Sequence, residues 1–164
     1  PERSTATIER SSTSRREAAQ HSRRPEPMAN EQQPNIAALV LEQTVDAVIY
    51  ADADGVIWLW NAAAEKIFGF PRDEAVGASL DLIVPERLRQ AHWRGYRAAM
   101  ATGTTRLAGR ATLTKGTHKS GTSVYVEMSF SVVKDAADRV LGSVAIARDV
   151  TDRHDRNSAT TATS

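Results

Sequence analysis

Three β-rich runs follow one another late in this chain, Arg106–Thr117, Ser123–Lys134 and Val140–Asp149, joined by the polar turns Lys119–Thr122 and Asp135–Arg139. Connections that short join antiparallel neighbours, because a parallel pair needs a crossover of a dozen residues or more. The three runs therefore form a meander. Two further runs, Ala47–Asp52 and Val56–Trp60, meet at Asp54-Gly55, a strong hairpin signal. Between the two groups lie helical segments. Asn61 caps Ala62–Phe68, which stops at Gly69; Phe70–Gly77 reads as a turn plus one helical turn; a longer helix follows Pro85. Two strands, helices, then three strands make an α+β domain, an antiparallel sheet with helices over one face. A pocket between those layers is a usual place for a small ligand. Ahead of the strands, Ile36, Leu39, Val40 and Gln43 space a short amphipathic helix. Trp58 and Trp60 share a strand face by parity, which suits the core or a dimer seam better than stacking on a cofactor.

The 164 residues suffice for one domain with a core. A formal net charge of +1 supplies no global field to gather nucleic acid or anionic membrane. With no cysteine, disulfides, thiolate nucleophiles and flavin–cysteine photochemistry are excluded. No run approaches the ~20 apolar residues of a membrane span, so a soluble cytoplasmic protein is expected. Residues 1–27 carry net +2, are rich in Ser, Thr, Arg and Glu, and hold one isolated Ile8; they read as a disordered polar extension, with Met28 a candidate start. Their four glutamates argue against a transit peptide. Asn157–Ser164 reads as a disordered tail, which leaves 36–153 as the folded domain.

One residue decides between functions. In Pro85–Gly103, Leu88, His92, Tyr96 and Met100 recur every four residues and lie along one side of a helix. An imidazole among apolar and aromatic neighbours is either a core histidine with a hydrogen-bond partner or the ligand of a metal-bearing cofactor. Trp93 points about a quarter turn away and packs the helix on its neighbours. His118 and His154 read as surface residues. No pair of histidines has metal-site spacing, no Ser/His/Asp set can be argued, and Gly116 near Gly121 lacks the strand–loop–helix setting of a phosphate loop, so enzyme chemistry is not expected.

The order Asp54-Gly-Val-Ile, Asn61-x-Ala-Ala-Glu65-x-x-Phe-Gly69-Phe, Glu74-x-x-Gly77, Lys119-x-Gly121-Thr and Gly142…Arg148-Asp-Val-Thr151 resembles the PAS sensor family over about residues 36–153. That resemblance implies a five-stranded antiparallel sheet with helices over one face enclosing a ligand pocket. A narrower resemblance runs through Pro85-Glu, His92, Met100-Ala-Thr-Gly103, Arg106, Gly109 and Lys119-x-Gly121, to the haem PAS domain of the rhizobial oxygen-sensing histidine kinases. It implies haem b with His92 as the proximal iron ligand, Leu88 and Tyr96 beside it, and an apolar distal wall at Leu107, Met128 and Phe130. The family's oxygen-bonding arginine falls on Thr112. Arg110 sits two positions earlier, where a related haem sensor class has a methionine ligand. On a strand 110 and 112 share a face, so Arg110 is a candidate for the distal charge. Arg106, Arg110 and Lys115 are candidates for the haem propionates, or a solvated sheet edge.

The leading expectation is a sensor of a diatomic gas or redox state, bound at haem held by His92. It acts as a homodimer or on a signalling partner in trans, with output through Arg148-Asp-Val-Thr151 and a helix from about Asp152 to Arg156. The alternatives are a cofactor-free interaction module that dimerises through Ile36–Gln43 and the exposed sheet, and a pocket for a small organic metabolite with His92 and Arg110 as donors.

Overall fold

The computed structural model describes residues 34–161. The expectations for residues 1–27 and for the last three residues lie outside the described residues. Five strands, β1 (Ala47–Asp52), β2 (Ile57–Trp60), β3 (Thr112–Thr117), β4 (Ser123–Lys134) and β5 (Val140–Asp149), form one sheet in the order β2-β1-β5-β4-β3. Every neighbouring pair is antiparallel. Helices α1 (Ile36–Gln43), α2 (Ala62–Phe68), α3 (Arg72–Ala75) and α4 (Glu86–Thr102) precede the meander, and α5 (Thr151–Thr161) follows it. This is the α+β arrangement read from the run order.

The core lies between the sheet and α2–α4, where Ile49, Ala51, Trp60, Phe68, Tyr96, Val126 and Ala147 are all buried. Trp60 and Phe68 meet at 5.5 Å between ring centres, and the Trp60 indole N–H donates to the Phe70 carbonyl at 2.9 Å. Burying an indole without such a partner would forfeit a hydrogen bond in the driest part of the fold.

Asn61 organises the start of the domain. Its Oδ1 accepts from Ala64 N, capping α2, and from Val48 N in β1. Its amide donates to the carbonyls of Leu41 and Asp46. One buried amide thus joins α1, β1 and α2 with all of its hydrogen-bonding capacity used. Helix α1 buries none of its own residues, so polar anchoring holds it in place.

Three expectations are corrected. The run Arg106–Thr117 is a strand only from Thr112. Ala108 (φ 46°) and Gly109 (φ 77°) are left-handed, and turn bonds Ala108 N to Thr105 O and Arg110 N to Leu107 O replace a ladder. A strand cannot contain consecutive left-handed residues. Trp58 and Trp60 do not share a face: β1–β2 pairing runs Ile49↔Trp60, Tyr50↔Leu59, then Ala51↔Ile57, so Trp58 is the extra residue of a bulge. The bulge reverses the parity, leaving Ile57 and Trp60 buried and Trp58 64% exposed. Finally, α5 continues past Arg156 to Thr161. Its first turn is capped by Asp149, which accepts from Thr151 N, and its body is docked by the His154 ring stacked 3.6 Å from Tyr125.

Candidate functional site

Between α4 and the inner face of β1, β4 and β5 is a cavity of about 280 Å³. Its walls include Leu88 and His92 from α4, Met128 and Phe130 from β4, and Ser143 and Ala145 from β5. Strand alternation explains the selection: Val126, Met128 and Phe130 recur every second residue on β4, and Ser143 and Ala145 do so on β5. Cross-strand pairing of Met128 with Ala147 and of Phe130 with Ala145 puts small residues beside large ones, which leaves the space open.

His92 has the most unusual environment in the domain. Its Nδ1 is buried without a hydrogen-bond partner. Burial holds the imidazole pKa below its ordinary value, against the opposing pull of the Asp81 carboxylate. That carboxylate is otherwise engaged, accepting the Trp93 indole N–H at 2.8 Å and lying 3.6 Å from the Arg89 guanidinium. His92 is therefore a neutral imidazole, flanked by Trp93 at 5.1 Å and Tyr96 at 5.8 Å between ring centres. A buried ring nitrogen left unpaired is costly unless something else takes its lone pair or its proton.

Tyr96 is buried behind this pair rather than on the cavity wall. Its hydroxyl donates to Asp52 O at 2.5 Å and accepts from Ser143 Oγ at 3.1 Å, while its ring meets Phe130 at 6.0 Å. Burial pushes its phenol pKa up. Trp93 packs on the β1–β2 turn: a Cβ on Gly55 would fall 2.3 Å from its ring.

The structure thus brings together Leu88, His92, Met128 and Phe130 at the cavity, with Tyr96 in support. It does not bring Arg106, Leu107, Arg110 or Thr112 to that wall. The first three are exposed in the turn before β3, and Thr112 is half-buried opposite Met128. Arg110 and Thr112 do not share a strand face, since Arg110 precedes the strand. Lys115 directs its ammonium to the other side of the sheet, 5.6 Å from the Tyr125 ring centre. Sequence reasoning missed Ser143, a buried polar residue at an inward position of β5, and Thr114; parity on the two strands could have found both.

Among the described residues no group of three His, Cys, Asp or Glu side chains could hold a bare metal ion. A haem iron asks only one axial ligand of the protein, and a neutral histidine lining an apolar cavity has the right donor chemistry. The apolar walls suit a macrocycle face. At about 280 Å³ the cavity sits at the lower edge of ordinary small-molecule pockets, so seating a porphyrin requires the walls to part.

A single sheet in this strand order, helices packed on its inner face and a cavity between them define a PAS sensor module. The chain belongs to that family: the family model described as PAS fold matches residues 41–155. It is 28% identical over 109 residues to the oxygen sensor protein DosP of Escherichia coli, covering 66% of this chain and 13% of that protein. It is 26% identical over 99 residues to the sensor protein FixL of Bradyrhizobium diazoefficiens, covering 60% of this chain and 20% of that protein. The chain therefore spans a fifth or less of either relative. Among solved structures it resembles the PAS domain of a protein from Colwellia psychrerythraea, with a TM-score of 0.63 at 19% identity over 71% of this chain and 96% of that one. No helix among the described residues is long and apolar enough to cross a membrane.

Proposed function

We propose that this PAS domain holds haem b through His92 and senses a diatomic gas or the redox state of the iron. The observation that carries the reading is His92 itself, which lines the apolar cavity and whose Nδ1 is buried without a hydrogen-bond partner. The resemblance to proteins named as an oxygen sensor and as FixL supports it. When bound, haem supplies an iron with an open coordination position. The chain's own residues do the rest. His92 ligates as a neutral imidazole, Leu88, Met128 and Phe130 exclude water, and Tyr96 fixes the helix against β1 and β5.

Output is proposed to reach a partner, either a second copy or a signalling protein in trans, through the Arg148–Thr151 corner. There Arg148 pairs with Asp46 at 2.8 Å, Asp149 caps α5, and Thr151 Oγ1 accepts from Tyr125 N at 3.0 Å. A ligand acts only through a difference in its affinity for two arrangements of these contacts.

The test is the absorption spectrum of protein made with ample haem precursor, wild type beside His92→Ala. A Soret band lost in the variant supports the reading. A folded, colourless wild type rejects it and returns His92 to the role of a core residue.

A cofactor-free dimerisation module is the second reading, favoured by the exposed apolar stripe of α1, with Ile36 at 63% and Val40 at 62%. Ile36→Glu with Val40→Glu would then convert a dimer to a monomer in light scattering. An unchanged mass removes α1 from the interface.

A further inference from the structure

We infer that the outward face of α4 docks an acidic protein segment, one that presents carboxylates along a strip about 15 Å long. The observation is a set of arginines without partners. Elsewhere in the domain carboxylates answer them: Arg72 meets Glu42, Arg139 meets Asp135, Arg148 meets Asp46 and Arg153 meets Glu127. On α4 itself, Arg89 turns back to Asp81 at 3.6 Å. Arg87, Arg94 and Arg97 are exposed, and among the described residues none of the three has an ion pair or a side-chain hydrogen bond. Glu86 is the only acidic residue of the helix.

Helical geometry puts the three arginines within about 80° of one another, with the exposed Gln90, Ala91, Ala98 and Ala101 between and beside them. The charge is local. Residues 86–111 hold six arginines against one glutamate, whereas 34–161 balance, with fifteen Lys and Arg against fifteen Asp and Glu. A long polyanion would overrun the strip and meet the negative remainder of the domain. Stacking on bases needs exposed aromatic rings, and a membrane surface needs apolar side chains beside the cations. This face carries neither, because His92, Trp93 and Tyr96 lie on the opposite side of the helix. Planar guanidinium forks match carboxylates two bonds at a time, and the alanines let a partner backbone come close. The surface does not depend on what the cavity holds, yet a partner seated on it lies on the back of the helix that carries His92.

The test uses the full chain and two labelled helical peptides of about 18 residues, matched to the length of α4. One is built of Ala and Glu, and the other has every Glu replaced by Gln. In fluorescence anisotropy the Glu peptide is expected to bind and the Gln peptide is not, with affinity falling as salt rises. Arg94→Gln with Arg97→Gln should weaken binding about fivefold or more. Lys66→Gln, which removes an exposed cation from α2, should change it by less than about twofold. Glutamine is a good helix former, so these variants keep the fold; Arg87→Gln with Arg94→Gln is the second pair if the first does not. Equal binding of the two peptides, or an unchanged affinity in the α4 pair, overturns the inference. So does tighter binding, at the same salt, of a short DNA duplex or of phosphatidylserine vesicles that the α4 pair abolishes, which assigns the face to nucleic acid or membrane. A wild-type dimer that the same pair converts to a monomer overturns it as well, in favour of a second copy. A colourless wild type takes down the haem reading and leaves each of these outcomes readable.

Discussion

Tyr96 in α4 donates its phenolic hydrogen to the backbone carbonyl of Asp52, 2.5 Å away at the end of β1. The acceptor residue is itself the organiser of the β1–β2 turn. Its carboxylate accepts from the backbone N–H groups of Asp54 and Val56 and from the Trp58 indole at 2.7 Å. Burial acts to raise the Asp52 pKa, but these donors outweigh it and hold the carboxyl below its ordinary value. The helix that carries His92 is thereby tied, through one hydroxyl, to the turn that closes the first hairpin.

Tyr96→Phe removes that tie while keeping the ring against Phe130. It takes one of two donors from the Asp52 carbonyl, which keeps the Gly55 N–H, and leaves the buried Ser143 hydroxyl without its acceptor, and the expected cost is about 1–3 kcal/mol in urea unfolding. Ser143→Ala alone removes only a donor. In a double-mutant cycle the two changes should be non-additive, because they share one bond. Additive effects would show that the Ser143–Tyr96 contact contributes nothing.

Asn61→Ala should be among the most damaging single changes in the domain. It removes a helix cap, worth about 1 kcal/mol, and strands the Val48 N–H and two carbonyls in or near the core. A loss of at least about 2 kcal/mol is expected in denaturant unfolding. Amide exchange should rise first in α1, which has no buried residues to hold it once the Leu41 carbonyl loses its donor. Uniform exchange across the domain would contradict the anchoring role given to Asn61.

Much of this architecture was legible in the residues, and the failures have physical causes. Asn61 and Gly69 bound α2 because capping and left-handed termination are local chemistry. The four-residue spacing of Leu88, His92 and Tyr96 placed the histidine correctly because α4 is long and unbroken. The bulge at Trp58 was not legible, since it depends on register against β1, a contact between chain segments that no single run encodes. The turn at Thr105–Arg110 was hidden because Ala108 carries no turn signal of its own yet adopts φ 46°. With that turn went the placement of Arg106, Leu107 and Arg110 at the site. Helix α5 outran its expected end because its Thr, Ser and Asn residues are weak helix formers, and docking on Tyr125 and Glu127 offsets that weakness.

Two glycines separate backbone strain from crowding. Gly55 (φ 82°) and Gly77 (φ 89°) are both left-handed, but a Cβ at Gly77 meets nothing within 4 Å, whereas one at Gly55 would lie 2.3 Å from the Trp93 ring. Gly77→Ala should cost only the left-handed penalty, about 1–2 kcal/mol. Gly55→Ala should cost more and displace Trp93, seen as a change in indole fluorescence absent from Gly77→Ala. Equal costs and unchanged emission would contradict the crowding of Gly55 by Trp93.

The Asp46–Arg148 pair gives the domain a pH dependence whose sign follows from the shift. Arg148 reaches Asp46 with two nitrogens, at 2.9 and 2.8 Å. The guanidinium hydrogen bond lowers the Asp46 pKa below its usual 3.8, with burial pulling the other way and the charge of Arg148 adding to the lowering. A carboxyl more acidic folded than unfolded binds fewer protons in the native state, so stability rises with pH across the window between the two values. The stabilisation is complete above 3.8 and lost as pH falls through the folded value. Asp46→Asn should therefore lower the urea midpoint at neutral pH and match wild type in strong acid, below both values. The gap at neutral pH should shrink in salt, since the Arg148 side chain is 65% exposed and the attraction is screened. A gap that persists in acid would assign the effect to lost packing at the start of β1 rather than to charge.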